Sequence, residues 1–188
     1  AKLIGKDRTG NGDQSVISGS NFNSNMTIST GKGGVAVGSG LTTTLKSPMA
    51  NGIGSVAIGS SGDTSANSNS LNGAVASGNH ALALMAGSTA SANDTIAIGT
   101  NAGAISDKSI ALGANADAGR SGGVAYVNAI AIGQNTKAYA YSIALGTGAN
   151  ADNAGYLRTD GGIAIGNDAT AGNIKSGIAV GNSANASL

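Results

Sequence analysis

Apolar residues alternate with small ones in a four-residue phrase that returns along the whole chain. It reads "VAIG" at Val56–Gly59, "IAIG" at Ile96–Gly99 and "IALG" at Ile110–Gly113 and Ile143–Gly146. Bulk at the first and third places is a period of two, which predicts a short strand with one buried face. β-Branched residues suit that state. The closing glycine allows a sharp bend at no Cβ cost. The "A-x-A" that often follows is again period two, with side chains small enough for a tight interior.

The longer template is apolar–Ala–apolar–Gly–x–x–Ala–x–Ala. It begins at Ile96, Ile110, Ile163 and Ile178, closely at Ile130 and Ile143, and in its first half at Val35 and Val56. The repeat glycines are Gly38, Gly59, Gly87, Gly99, Gly113, Gly133, Gly146, Gly166 and Gly181, and subtraction gives intervals of 21, 28, 12, 14, 20, 13, 20 and 15. The unit is thus about 14 residues, with 28 as two units and 20 or 21 as one unit plus an insertion. Between 60 and 87 two readings stay open: either Val75–Gly78 or Ser70–Gly73 is a degenerate copy before Leu84.

Stacked units place each strand parallel to its equivalent in the next coil, about 4.8 Å away. The expected fold is an all-β parallel β-roll, a solenoid. No apolar period of 3.6 survives the Gly and Asn, which excludes a helical bundle. In this reading the interior holds the aliphatics Val56, Ile58, Ile96, Ile98, Ile110, Leu112, Ile130, Ile132, Ile143, Leu145, Ile163, Ile165, Ile178 and Val180. The Ala between each pair then points outward, and its monotony suggests the close approach of another subunit. The expected organisation is degenerate coils or a cap over 1–34 and repeats over 35–188, with insertions near 39–54, 114–128 and 147–161.

Composition narrows the function. The chain has 188 residues with 32 Gly, one Pro, no Cys and no Trp, and only 10% of it is charged. Low charge with regular Ile and Val argues for order rather than disorder. A net charge of +1 supplies no basic field for nucleic acid. No apolar run is long enough for a membrane-spanning helix, and no signal-peptide pattern opens the chain. The opening residues read as the middle of a longer protein.

No catalytic constellation is visible. His80 is the one histidine, has no base, acid or metal partner in the sequence, and is expected to be solvated or locally hydrogen-bonded. The aspartates fall mostly in turns, where Asp bonds its own backbone, and no calcium-loop spacing appears, so neither a metal nor a cofactor is expected. "GKGGVAVGSG" at Gly31–Gly40 fits neither a dinucleotide nor a P-loop spacing. Recognition residues collect on loops carried by rigid scaffolds, so the candidates are Lys46, Arg120, Tyr126, Tyr156 and Arg158 in the insertions. Tyr139 and Tyr141 in "KAYAYS" would share one face of an extended segment.

The motifs "SVAIG" at Ser55–Gly59 and "SIALG" at Ser109–Gly113 and Ser142–Gly146 resemble the head repeats of YadA-like trimeric autotransporter adhesins. The likeness covers Val35 to Leu188 well and the first 34 residues poorly. It implies a left-handed roll, three chains side by side as a homotrimer, and display on the outer membrane of a Gram-negative bacterium. It further implies cell adhesion to host surfaces or extracellular-matrix proteins, clumping, and a role in virulence. The family's coiled-coil stalk and membrane-anchor barrel are not in this sequence. A phage-type or non-adhesive fibre tip would rest on the same physics. A hexapeptide-repeat acyltransferase would need intervals of 12 and 18, and an ice-binding solenoid a recurring Thr ladder, where only Thr42–Thr44 gives a run.

Overall fold

A computed structural model describes residues 2–4, 8–10, 16–18, 27–40, 45–62, 71–119, 127–139, 141–151, 161–172 and 177–186. Among these residues there is no helix. The strands in chain order are β1 (Lys2–Ile4), β2 (Arg8–Gly10), β3 (Val16–Ser18), β4 (Thr27–Ser29), β5 (Val35–Val37) and β6 (Met49–Ala50). They continue as β7 (Val56–Ile58), β8 (Val75–Ala76), β9 (Leu82–Leu84), β10 (Thr89–Ala90), β11 (Ile96–Ile98), β12 (Gly103–Ala104) and β13 (Ile110–Leu112). The last are β14 (Asp117–Ala118), β15 (Ile130–Ile132), β16 (Lys137–Ala138), β17 (Ile143–Leu145), β18 (Asn150–Ala151), β19 (Ile163–Ile165) and β20 (Ile178–Val180).

They form two parallel sheets. Eleven strands run β1-β3-β5-β7-β9-β11-β13-β15-β17-β19-β20, and nine run from β2 to β18 through the even numbers. Each coil is therefore a strand in the first sheet, a turn, a strand in the second, and a second turn. Register is kept by type: Ala97 pairs with Ala111, Ala131 with Ala144, and Ala164 with Ala179. The chain is a β-roll. Strands β1 to β4 extend the same two sheets, so the region before Val35 carries rungs of the same roll.

The interior reverses the expected phase. Ala36, Ala57, Ala97, Ala111, Ala131, Ala144, Ala164 and Ala179 are buried, while their aliphatic neighbours stand on the outer face. Val56, Ile96, Ile98, Ile110, Leu112, Ile130, Ile143, Leu145 and Ile163 are half-buried, and Ile58, Ile132, Ile165, Ile178 and Val180 are exposed. Alternation defines two faces of a strand but not which one is inside, and here side-chain volume decides. The cluster of buried apolar residues consists of alanines, supplied by both sheets. From β5 onward the inward strand positions of this thin roll hold one methyl group each, so the branched side chains of these coils go outward. The residues of "A-x-A" do face in, as Ala102 and Ala104.

The turns explain the remaining letters of the repeat. Gly99 has φ +134° and Gly113 +130°. Two residues later comes a left-handed residue, Asn101 or Asn115, with φ near +60°. The Ser or Thr that opens the phrase closes the second turn. Thr95 Oγ1 donates to the Ala92 carbonyl at 2.7 Å, and Ser55 Oγ donates to that of Gly52 at the same distance. These hydroxyls are thereby buried with a partner, as buried polar groups must be.

The stretch from 60 to 87 differs from both readings of the sequence. Val75–Ala76 lies in the second sheet, between β6 and β10, and the described part of the other candidate, Leu71–Gly73, forms no first-sheet strand. The first-sheet strand here is β9, with Ala83 between Ala57 and Ala97. The spacing is 83 − 57 = 26 residues, one coil with an insertion rather than two coils. An antiparallel bridge between Gly62 and Leu71 closes the base of that insertion. In this coil Met85, at φ +84°, takes the place of the repeat glycine, and Gly87 takes the left-handed position beside Asn101. A non-glycine residue at such a φ costs about 1–3 kcal/mol. Gly38, Gly59, Gly133, Gly146, Gly166 and Gly181 have positive φ as the repeat requires.

Candidate interaction surfaces

The outer face of the first sheet is the largest regular feature. From β5 to β20, every outward residue is Val, Ile or Leu. The residues align in two columns, one of them running Ile96, Ile110, Ile130, Ile143, Ile163 and Ile178. Nine rungs at about 4.8 Å make a ridge roughly 40 Å long. No charge interrupts it. Exposed apolar surface of this continuity marks an interaction site on a soluble protein. The interface expected of the alanines is thus offered by the aliphatics instead.

The second sheet presents a mixed outer face. Its outward residues change from Met49 and Val75 through Thr89 and Gly103 to Asp117, Lys137 and Asn150. Tyr139 Oη donates to Asp117 Oδ2 at 3.2 Å across neighbouring rungs. Tyr141 does not share a face with Tyr139, because it sits in the following turn at φ +59° and is exposed.

Polar side chains stack along both corners. Asn101 Nδ2 donates to Asn115 Oδ1, and Asn115 Nδ2 to Asn135 Oδ1, each at 3.1 Å. On the other corner the Asn79 and Asn93 backbone N–H groups donate to Asn93 Oδ1 and Asp107 Oδ1. His80 Nδ1 lies 3.1 Å from Asp94 Oδ1 in the next coil, so this histidine is locally hydrogen-bonded on an exposed corner. Among the described residues no group of His, Cys, Asp or Glu is placed to hold a metal ion.

The insertions leave the roll at two corners. The departures within 39–48 and 60–73 lie between a first-sheet and a second-sheet strand, whereas Met49–Gly54 belong to a regular rung. These two insertions pack on each other: Lys46 N donates to Asn72 Oδ1 at 2.9 Å, and Gly73 N to the Lys46 carbonyl at 2.7 Å. Leu45, Ser47 and Pro48 are buried there, and the Lys46 side chain is exposed. The other two insertions follow β14 and β18, bracketed by Gly119 and Val127 and by Ala151 and Gly161. Arg120, Tyr126, Tyr156 and Arg158 lie outside the described residues. The second insertion of this packed pair, within 60–73, escaped sequence reasoning. Its signal was present in Gly62, Asn72 and Gly73, but the interval of 28 disguised it as a repeat.

Stacked two-sheet coils with methyl-sized cores define a repeat scaffold whose working parts are its faces and corners. Residues 86–102, 90–116 and 127–149 match the family model of the YadA head domain repeat. These stretches of the chain carry YadA-like head repeats. No curated protein matches the chain.

Proposed function

We propose that this chain is the adhesive head of a bacterial surface fibre, assembled as a homotrimer through the outer face of the first sheet. The observation that carries the reading is that ridge of aliphatics in a YadA-like roll. A roll with a methyl-sized interior gains little hydrophobic free energy of its own, so burying the ridge against sister chains supplies the missing part. A partner for so periodic a surface must share its rung spacing, and a second copy does. Displayed on a Gram-negative outer membrane, the head attaches to host cells or extracellular matrix and holds bacteria together in clumps. The binding side chains are those of the insertions: Lys46, Arg120, Tyr126, Tyr156 and Arg158. The head has a structural and adhesive role, not a catalytic one.

Sedimentation equilibrium at micromolar concentration tests the assembly. A mass of three chains is expected, and a mass of one chain refutes it. Binding to a panel of immobilised matrix proteins tests the adhesive role, which fails if no member of the panel is retained.

A further inference from the structure

The aliphatic ridge leaves one problem unsolved. Its rungs are nearly identical, so two copies slid past each other by one coil, about 4.8 Å, would match almost as well. A ridge of this kind holds chains together but does not fix their height. A register needs a feature that occurs once.

Met85 is such a feature. At the equivalent place the other coils from β5 onward have glycine: Gly38, Gly59, Gly99, Gly113 and their successors. Met85 keeps φ +84°, a conformation that glycine would adopt freely. Met85 is nonetheless 52% exposed, so about half of its surface is left uncovered by its own roll. It directly follows Leu84, the last outward aliphatic of β9, and so stands at the edge of the ridge. Its corner is also the one stiffened by the packed insertions. Gly87 N donates to the Asn72 carbonyl at 2.7 Å, and a Cβ on Gly87 would lie 3.1 Å from Leu71 Cδ2. A side chain at Gly87 would therefore crowd Leu71 and the Asn101 backbone.

We infer that Met85 is the register key of the assembly, a single apolar knob at the edge of the ridge that packs against a sister chain and sets the axial alignment of the three. This rests on the trimer reading above. A thioether chain is suited to the task because it adapts to an irregular socket.

Rung-resolved cross-linking tests it. The chain has no cysteine, so single cysteines can be placed at outward positions of successive rungs, Leu112, Ile132 and Leu145. Mixed assemblies are then joined with a short bismaleimide, in the parent and in Met85→Gly and Met85→Leu backgrounds. The parent is expected to give one dominant rung pairing. Met85→Gly should spread the links over neighbouring rungs while the mass stays that of three chains, and Met85→Leu should keep the parent pattern. A single pairing that survives Met85→Gly overturns the key, as does a spread already present in the parent or a Leu variant that behaves as Gly. If sedimentation of the parent gives one chain, the trimer reading falls first and the key with it.

Discussion

A methyl group on Gly99 would sit 2.4 Å from the carbonyl oxygen of Gly113, one coil further along the roll. The same relation joins Gly113 to Gly133, also at 2.4 Å, and Gly146 to Gly166 at 2.5 Å. These glycines form a column in which the backbone of one coil occupies the place of the Cβ of the one before. The positive φ adds a second reason for glycine. The column is what lets successive turns close onto each other.

Gly113→Ala should therefore destabilise the roll by at least about 2 kcal/mol, from backbone strain and the collision together. Asn115→Gly, two residues on, leaves the φ of +56° free of strain and loses only exposed amide bonds. Its cost should stay below about 1 kcal/mol. Thermal unfolding followed by circular dichroism compares the two. Equal losses would show that the column is not the constraint it looks to be.

Ala131 and Ile132 are neighbours in β15 with opposite duties. Ala131 is buried between rungs and Ile132 is exposed on the ridge. Ala131→Leu should cost about 1–3 kcal/mol or more from overpacking, and should broaden or abolish the unfolding transition. Ile132→Lys should leave the strand signature intact and lower the sedimented mass toward one chain. If Ile132→Lys unfolds the chain while Ala131→Leu is tolerated, the inside and outside of the roll are assigned the wrong way round.

The sequence made the period, the strands and the turns legible, because each rests on a local rule. Alternation marks strands and glycine marks bends, whereas the closing of a turn by the Ser or Thr before the phrase is seen only in the structure. The sequence did not reveal which face of "IAIG" is inside. Hydrophobicity favours burying Ile132 over Ala131, and only the distance between the two sheets, a property of the whole coil, reverses that choice. In the coil at Leu82–Ala90, Gly87 has the spacing of a repeat glycine but stands two residues later, in the left-handed position of the turn, while Met85 holds the repeat-glycine place. The adhesive candidates rest on residue type and on a place in the insertions, and of these the described residues contain Lys46.

Ser29 is buried at a position that the second-sheet strands from β6 onward fill with Ala, in register with Ala50. Its hydroxyl is without a hydrogen-bond partner among the described residues. An unpaired buried hydroxyl costs about 1–3 kcal/mol. Ser29→Ala is expected to stabilise the roll by about 1 kcal/mol, seen as a raised midpoint of denaturant unfolding with an unchanged slope. Thr95→Val, which removes a hydroxyl that does have a partner, should lower the midpoint instead. A lowered midpoint for Ser29→Ala would mean that its oxygen is satisfied after all.

The two insertions after β14 and β18 arise from the same corner of the roll, two coils apart, which is roughly 10 Å. Their bases are close enough for both to touch one macromolecular ligand. Arg and Tyr at such positions commonly carry interface energy. Arg120→Ala and Arg158→Ala should each weaken binding to a retained matrix protein about tenfold, or about 1.4 kcal/mol. Because residues that share a partner couple, the double variant should lose less than the sum of the two single losses. Surface plasmon resonance on the four proteins completes the cycle. Strict additivity would separate the two insertions into independent contacts, and unchanged affinity in both single variants would remove these arginines from the binding surface.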